Sequence, residues 1–296
     1  LINRIKVNIL VWTDNDLDGA GAALVIKWLY SSKARSFIIN EVSESTISGK
    51  FKGVLGTLDH YDKIFIVDLD LPVDAIEIVD KKNVIVIDHH ATHVKNKHLY
   101  KNAKVIVEEF ASCTGLIYEK FKTALSLTDQ QKQLISNIND YDCYNIQNVD
   151  ALKLNAIHRN LNNPKAEKFI DSFFNGFREY TVLEKNSIKL YFKKFKEQIQ
   201  NAQVFKGKIK NYDVIATFGD YAINEVAHFL INKHNAHIGI VVNTKAKTVS
   251  FRRCKNCDVD VSILAKTLCN GGGYAAAGGG ALTEQFANLT KTFLPC

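Results

Sequence analysis

The chain has 296 residues, 46% of them hydrophobic and 23% charged, with a formal net charge of +7, which is enough apolar material for one large or two medium cores. No apolar run approaches the ~20 residues of a membrane span, and the opening Leu1-Ile2-Asn3-Arg4-Ile5-Lys6 lacks the longer apolar core of a signal peptide. A cytoplasmic protein with no membrane partner is therefore expected. Cys113, Cys143, Cys254, Cys257, Cys269 and Cys296 are too few for a disulfide scaffold in a chain of this size and read as reduced thiols, while the excess of basic residues favours a polyanionic substrate.

In chain order, Ile5 to Trp12 reads as a first strand that runs into Thr13-Asp14-Asn15-Asp16-Leu17-Asp18-Gly19-Ala20-Gly21. The small residues after Asp18 let a helix begin close against a sheet, and Leu24, Val25, Ile26, Trp28 and Leu29 continue it. An Asp-x-Asp-x-Asp-Gly string also suits a calcium loop, but the twelfth position counted from Asp14 is Val25 rather than Glu, and a strand precedes the string. Phe37 to Val42 reads as a second strand and Ser48 to Leu58 as helix or turn. Lys63 to Val67 is a third strand, ending in Asp68 and Asp70, with Pro72 and Asp74 marking a helix start. Val84 to Ile87 is an uninterrupted β-branched run, the pattern of a strand covered on both faces, and delivers Asp88, His89 and His90 at its carboxyl end. One acidic strand end is usually just solvated; three in a βαβ series point to a shared crevice at the carboxyl edge of a parallel sheet. Carboxylate and neutral imidazole are ordinary ligands for Mn, Fe or Zn.

The Asp88-His89-His90 tripeptide, the upstream Asp14-x-Asp16-x-Asp18-Gly19 string and the intervening strand ending in Asp68 resemble the DHH phosphoesterase superfamily, which includes RecJ-type exonucleases and nanoRNases. The resemblance extends to Ser112-Cys113-Thr114-Gly115, similar to the helix start after the third motif, and to Asn137-Ile138-Asn139-Asp140-Tyr141-Asp142, similar to the fourth motif. It implies Asp16, Asp18, Asp68, His89 and Asp140 as metal ligands, Asp14 as a further carboxylate of the RecJ-like motif, and His90 either facing the substrate phosphate or standing behind the ligands. Many members carry His four residues before Asp16, where this chain has Trp12 and Asp14 can compensate. The implied chemistry uses two divalent ions, Mn2+ with Mg2+ or Co2+ as substitutes, bridged by Asp68.

Beyond Asp142 the sequence is helical through Phe177, with Pro164 at a helix start. Thr181 to Gln203 is a long amphipathic segment read as a connecting helix, whose Lys193, Lys194 and Lys196 could touch nucleic acid but read more simply as a solvated face. A second α/β pattern follows: strands at Val214 to Phe218, Ile238 to Val242 and Thr248 to Arg252, and a helix at Ile223 to Asn232. Cys254-x-x-Cys257 lacks the second pair that a zinc site needs. A glycine cluster, Gly271-Gly272-Gly273-Tyr274 through Gly280, lets backbone amides approach an anion, and Arg252 can add a bidentate contact. Ser250-x-Arg252, Asp258-Val259-Asp260 and the glycine cluster together resemble the DHHA1 domain. The usual motif ends in His where this chain has Tyr274, which offers a hydroxyl donor and an aromatic face for base stacking.

The expected architecture is α/β, with a parallel-sheet DHH domain over 1–180, a connecting helix over 181–206 and a smaller α/β DHHA1 domain over 207–296. The active site is expected in the cleft between them, with Arg252, Gly271, Gly272, Gly273, Tyr274 and His90 holding substrate. The expected activity is Mn-dependent hydrolysis of short or single-stranded oligonucleotides, releasing nucleotides. The alternatives are a phosphoesterase for cyclic dinucleotides or nucleoside bisphosphates and, in a different class, an inactive nucleic-acid-binding module, which retention of the carboxylates disfavours.

Overall fold

The computed structural model describes residues 6–42 and 47–283; Ile5, where the sequence places the start of the first strand, and Cys296 lie outside them. The chain divides into two compact units, 1–188 and 189–296.

In the first unit, β1 (Val7–Asp14), β2 (Ala34–Val42), β3 (Lys63–Val67), β4 (Val84–Asp88) and β5 (Lys104–Val107) form one parallel sheet in the order β2-β1-β3-β4-β5. Alternation along the strands sends Ile9, Val11, Phe65, Val67 and Ile87 into one core, and Leu10, Trp12, Ile64, Ile66 and Val86 into another. Burial on both faces is why these strands read as continuous apolar runs. The first core is closed by α1 (Leu17–Tyr30), α5 (Cys113–Phe121), α6 (Asp129–Asp142), α7 (Val149–Asn160) and α8 (Lys165–Phe173). The second is closed by α2 (Ile47–Val54) and α3 (Val73–Val79). Helix α4 (Ala91–Asn96) follows β4.

Helix α1 is buried from Leu17 through Ile26, so it is apolar on every side, as a central helix must be. Two glycines permit its close approach. A Cβ on Gly19 would lie 2.4 Å from the Asp14 carbonyl oxygen, and one on Gly21 would lie 2.4 Å from Thr114 Oγ1 and 2.8 Å from Ile138 Cδ1. Trp12 packs on Phe51 with ring centroids 5.0 Å apart, so the residue in the position of the family's His belongs to the second core.

The connecting helix, α9 (Val182–Gln200), starts at a reciprocal cap: Glu184 N donates to Thr181 Oγ1 and Thr181 N donates to Glu184 Oε2. Lys193, Lys194 and Lys196 are exposed. The division between units falls inside this helix.

The second unit holds β6 (Val204–Ile209), β7 (Tyr212–Phe218), α10 (Ile223–His234), β8 (Ile238–Asn243), β9 (Thr248–Arg253), α11 (Val261–Cys269), β10 (Gly272–Tyr274) and β11 (Ala277–Ala281). Its mixed sheet has the order β10-β11-β9-β8-β7-β6, with β7 and β8 parallel. The glycine cluster reads in the sequence as a loop beside a helix; here it forms the β10–β11 hairpin, paired through Ala277 and Arg252 onto β9. Its glycines answer to close backbone packing. A Cβ on Gly271 would meet Gly279 O at 1.9 Å, and Gly273 has φ +131°.

Candidate metal centre

In a parallel sheet of order 2-1-3-4-5, the strand order reverses between β1 and β3, which opens a crevice at the carboxyl ends of these strands. The sequence aims carboxylates there from both sides. Asp16 caps α1, accepting from Gly19 N at 2.9 Å. Asp68 follows β3 in the left-handed region, with φ 55°, and its amide donates to Ile87 O.

Asp18, on the first turn of α1, is anchored from the far side of the crevice. Its two oxygens accept from Cys113 N at 2.6 Å and Thr114 N at 2.9 Å, both at the amino end of α5. Ser112 caps that helix, accepting from Gly115 N and donating to Asn139 Oδ1 on α6, which ties α5 to α6. The Ser-Cys-Thr-Gly motif is thus a backbone clamp on Asp18.

His89 stands at the focus. Its Nε2 lies 3.4 Å from Asp68 Oδ1, 3.7 Å from Asp18 Oδ2 and 3.5 Å from Asp142 Oδ2. Nδ1 lies 3.1 Å from Phe110 O, so the proton sits on Nδ1 and the Nε2 lone pair points into the cluster. Ligands about 2.1 Å from an ion at tetrahedral or octahedral angles stand about 3.0 to 3.4 Å apart, close to these separations. Two groups of potential ligands meet at His89: Asp68 with His90, and Asp18 with Asp142.

The electrostatics also call for a cation. Burial, then the Asp18 and Asp16 carboxylates, pushes the Asp68 carboxyl well above the usual range; burial and the same two neighbours push Asp142 well above it too. Asp16 is accessible to solvent yet hemmed in by protein, and desolvation followed by Asp18 raises it. Among the described residues no Lys or Arg pairs with Asp18, Asp68 or Asp142. Asp68 Oδ1, buried, has no hydrogen-bond partner. A divalent cation satisfies all of this, so the residues fit a metal.

Asp88 does not face the cluster. Fully buried, it accepts at one oxygen from His90 Nδ1 (2.8 Å) and at the other from His93 Nδ1 (2.8 Å). Burial opposes its charge, but the two imidazoles outweigh that and hold the carboxyl well below the usual range. Cys113, beside the cluster, is no thiolate: burial, then Asp68 and Asp18, pushes its thiol well up.

Of the residues singled out from the sequence, Asp16, Asp18, Asp68, His89 and His90 come together. Asp14 ends β1, half-buried, outside the groups of convergent ligand atoms among the described residues. Asp140 points elsewhere: its carboxylate accepts from Asn148 N at 2.9 Å, and Asp142 occupies the place at the cluster. Two residues on a helix differ by about 200° in direction. Ile135 and Ile138 are buried, and Asp142 follows them at i+7 and i+4, on the inward face; this apolar phase was the available signal. In the second unit, Arg252 donates to Asn224 Oδ1, Phe251 O and Gly278 O, and Tyr274 is exposed on the hairpin.

Residues 8–143 match the family model described as the DHH family, N-terminal domain. No curated protein sequence matches the chain. Among solved structures, the fold is similar to the pGpG-specific phosphodiesterase PggH from Vibrio cholerae (17% identity, 97% of each chain, TM-score 0.56). It is similar also to an exopolyphosphatase-related protein from Bacteroides fragilis (14% identity, 98% of this chain and 92% of that one, TM-score 0.56). RecJ from Thermus thermophilus in complex with Mn2+ shares 12% identity over 97% of this chain and 51% of its own, with a TM-score of 0.58.

Proposed function

We propose that the protein is a Mn2+-dependent phosphodiesterase that hydrolyses short or single-stranded oligonucleotides and releases nucleotides. The observation that carries the reading is the convergence of Asp18, Asp68 and Asp142 on His89 Nε2 within 3.7 Å, with no Lys or Arg paired to them among the described residues. Asp16, Asp18, Asp68, His89 and Asp142 would hold two ions, with Asp68 between them; Mg2+ or Co2+ are the substitutes. When bound, such ions supply a hydroxide nucleophile near neutral pH and neutralise charge on the phosphoryl oxygens.

The chain's own residues set up the rest. Phe110 O keeps the His89 lone pair directed inward. His90, partly exposed at the start of α4, meets the substrate phosphate. The second unit, of DHHA1 type, contributes the Arg252 guanidinium as a phosphate clamp, the hairpin glycines Gly271, Gly272 and Gly273 as a close backbone surface, and Tyr274 as a hydroxyl and a stacking face.

A second reading has its own support. The likeness to PggH runs over 97% of both chains, which favours a dinucleotide or another small nucleotide, cyclic dinucleotides and nucleoside bisphosphates included, over long strands. The test is to incubate the protein with Mn2+ and end-labelled oligonucleotides from dinucleotides upward, with cyclic dinucleotides and a nucleoside bisphosphate in parallel, and to resolve the products. Mononucleotide release from the shortest oligonucleotides is expected, and its loss on chelation. Binding without cleavage would identify the inactive nucleic-acid-binding class instead.

A further inference from the structure

The DHH tripeptide is half of a longer polar chain. Tyr100 OH lies 2.8 Å from His93 Nε2, His93 Nδ1 lies 2.8 Å from Asp88 Oδ2, and His90 Nδ1 lies 2.8 Å from Asp88 Oδ1. The side chains of Asp88 and His93 are 0% exposed, and that of His90 is 21% exposed, so the chain passes from half-buried Tyr100 through the core to a partly exposed imidazole. The hydrogen-bond inventory fixes its direction. An ionised Asp88 only accepts, so both imidazoles donate from Nδ1; neutral His93 then accepts at Nε2, which the Tyr100 hydroxyl donor satisfies. A neutral His90 therefore keeps its proton on Nδ1, with Nε2 on the side of the ring away from Asp88.

We propose that His93 and Tyr100 are positioning residues: they lock Asp88, and through it hold His90 in the Nδ1–H tautomer and the ring orientation that the reaction uses. Each imidazole ring has two faces and two tautomers, and a carboxylate tethered at only one oxygen can swing; the tether at its other oxygen removes that freedom. Partners of this kind behind a ligand or contact residue are worth about ten- to a hundredfold in affinity or rate. The role of His90 at the phosphate rests on the phosphodiesterase reading, whereas its locked tautomer does not.

The test separates the two. In metal-free protein labelled with 15N-histidine, long-range 1H–15N correlation spectra report each ring's tautomer. The wild type should show His90 and His93 as single Nδ1–H species. His93→Leu should give His90 a tautomer mixture and lower kcat/KM on a linear dinucleotide with Mn2+ by about ten- to a hundredfold. His93→Asn, whose amide nitrogen stands near the position of Nδ1 and can donate to Asp88, should recover much of both. If His93→Leu leaves His90 a single Nδ1–H species, or cleaves like the wild type, the proposal is overturned. Should that variant not fold, Tyr100→Phe carries the test: an unaltered His93 spectrum with an unaltered rate overturns it. If no phosphodiester is cleaved by the wild type while the spectra respond as expected, the phosphodiesterase reading fails and the lock stands.

Discussion

Replacing Asp142 by Asn should stabilise the metal-free protein and remove most of its response to metal, an inversion that only a cation site produces. Asp142 and Asp18 each place an oxygen within 4.8 Å of the other. At an effective dielectric constant of about 20, two full charges at that distance repel by about 3.5 kcal/mol. This is an upper figure, because a carboxylate that keeps its proton in the cluster has already shed part of the repulsion. Relief of about 2 kcal/mol raises the Tm of a domain this size by about 4 to 8 °C. In the wild type, metal at a hundredfold of its Kd adds about 2.7 kcal/mol, and Asp142→Asn should forfeit most of it. Asp140→Ala is the control: it removes the acceptor for Asn148 N, costs about 1 kcal/mol and should keep the full metal shift. Differential scanning calorimetry of the three proteins, in chelator and in a Mn2+ series, reads all of these quantities. If Asp142→Asn lowers the metal-free Tm and keeps the wild-type shift, or if Asp140→Ala loses the shift, the centre assembled here is wrong.

Gly21→Ala should destabilise the first unit by about 1 to 3 kcal/mol, against a helix-propensity gain of about 1, because its Cβ would press on Thr114 Oγ1 and Ile138 Cδ1; urea denaturation measures it, and a neutral result would refute the packing argument. His158 is 1% exposed, and burial, reinforced by Lys165 and Arg159, lowers its pKa to about 3. Between pH 6.5 and about 3 the unfolded chain takes up a proton that the folded one refuses, so this contribution is intact above pH 6.5 and falls by about 1.4 kcal/mol per pH unit below it. His158→Leu should therefore gain stability relative to wild type with that slope on acidification, and a pH-independent difference would count against the burial. Arg252→Ala should raise KM on a dinucleotide by about ten- to a hundredfold with the metal-induced Tm shift unchanged; an unchanged KM would remove the second unit from substrate binding.

Much of this was legible in the sequence wherever a periodicity and a chemical type coincide. Val84 to Ile87 alternates into two cores, and only a doubly covered strand tolerates that composition, so the parallel sheet and the location of Asp68 and His89 at its edge followed from the residues themselves. Helix phase was harder to read. Asp140 and Asp142 are chemically identical and two residues apart, and the choice between them rests on whether Ile135 and Ile138 or the polar residues around them face the sheet, which is settled by burial. The glycine cluster is ambiguous for a related reason. Glycine permits both a phosphate cradle and an overpacked hairpin, and composition alone cannot tell a backbone that approaches a ligand from one that approaches Gly279 O. The pair of imidazoles on Asp88 was invisible for a third reason: His93 lies one helical turn past His90, and its meaning depends on where Tyr100, beyond the end of α4, brings its hydroxyl. Where a side chain's role is set by its own strand or helix, the residue types were enough; where it is set by a neighbour from another element, only the folded chain supplies it.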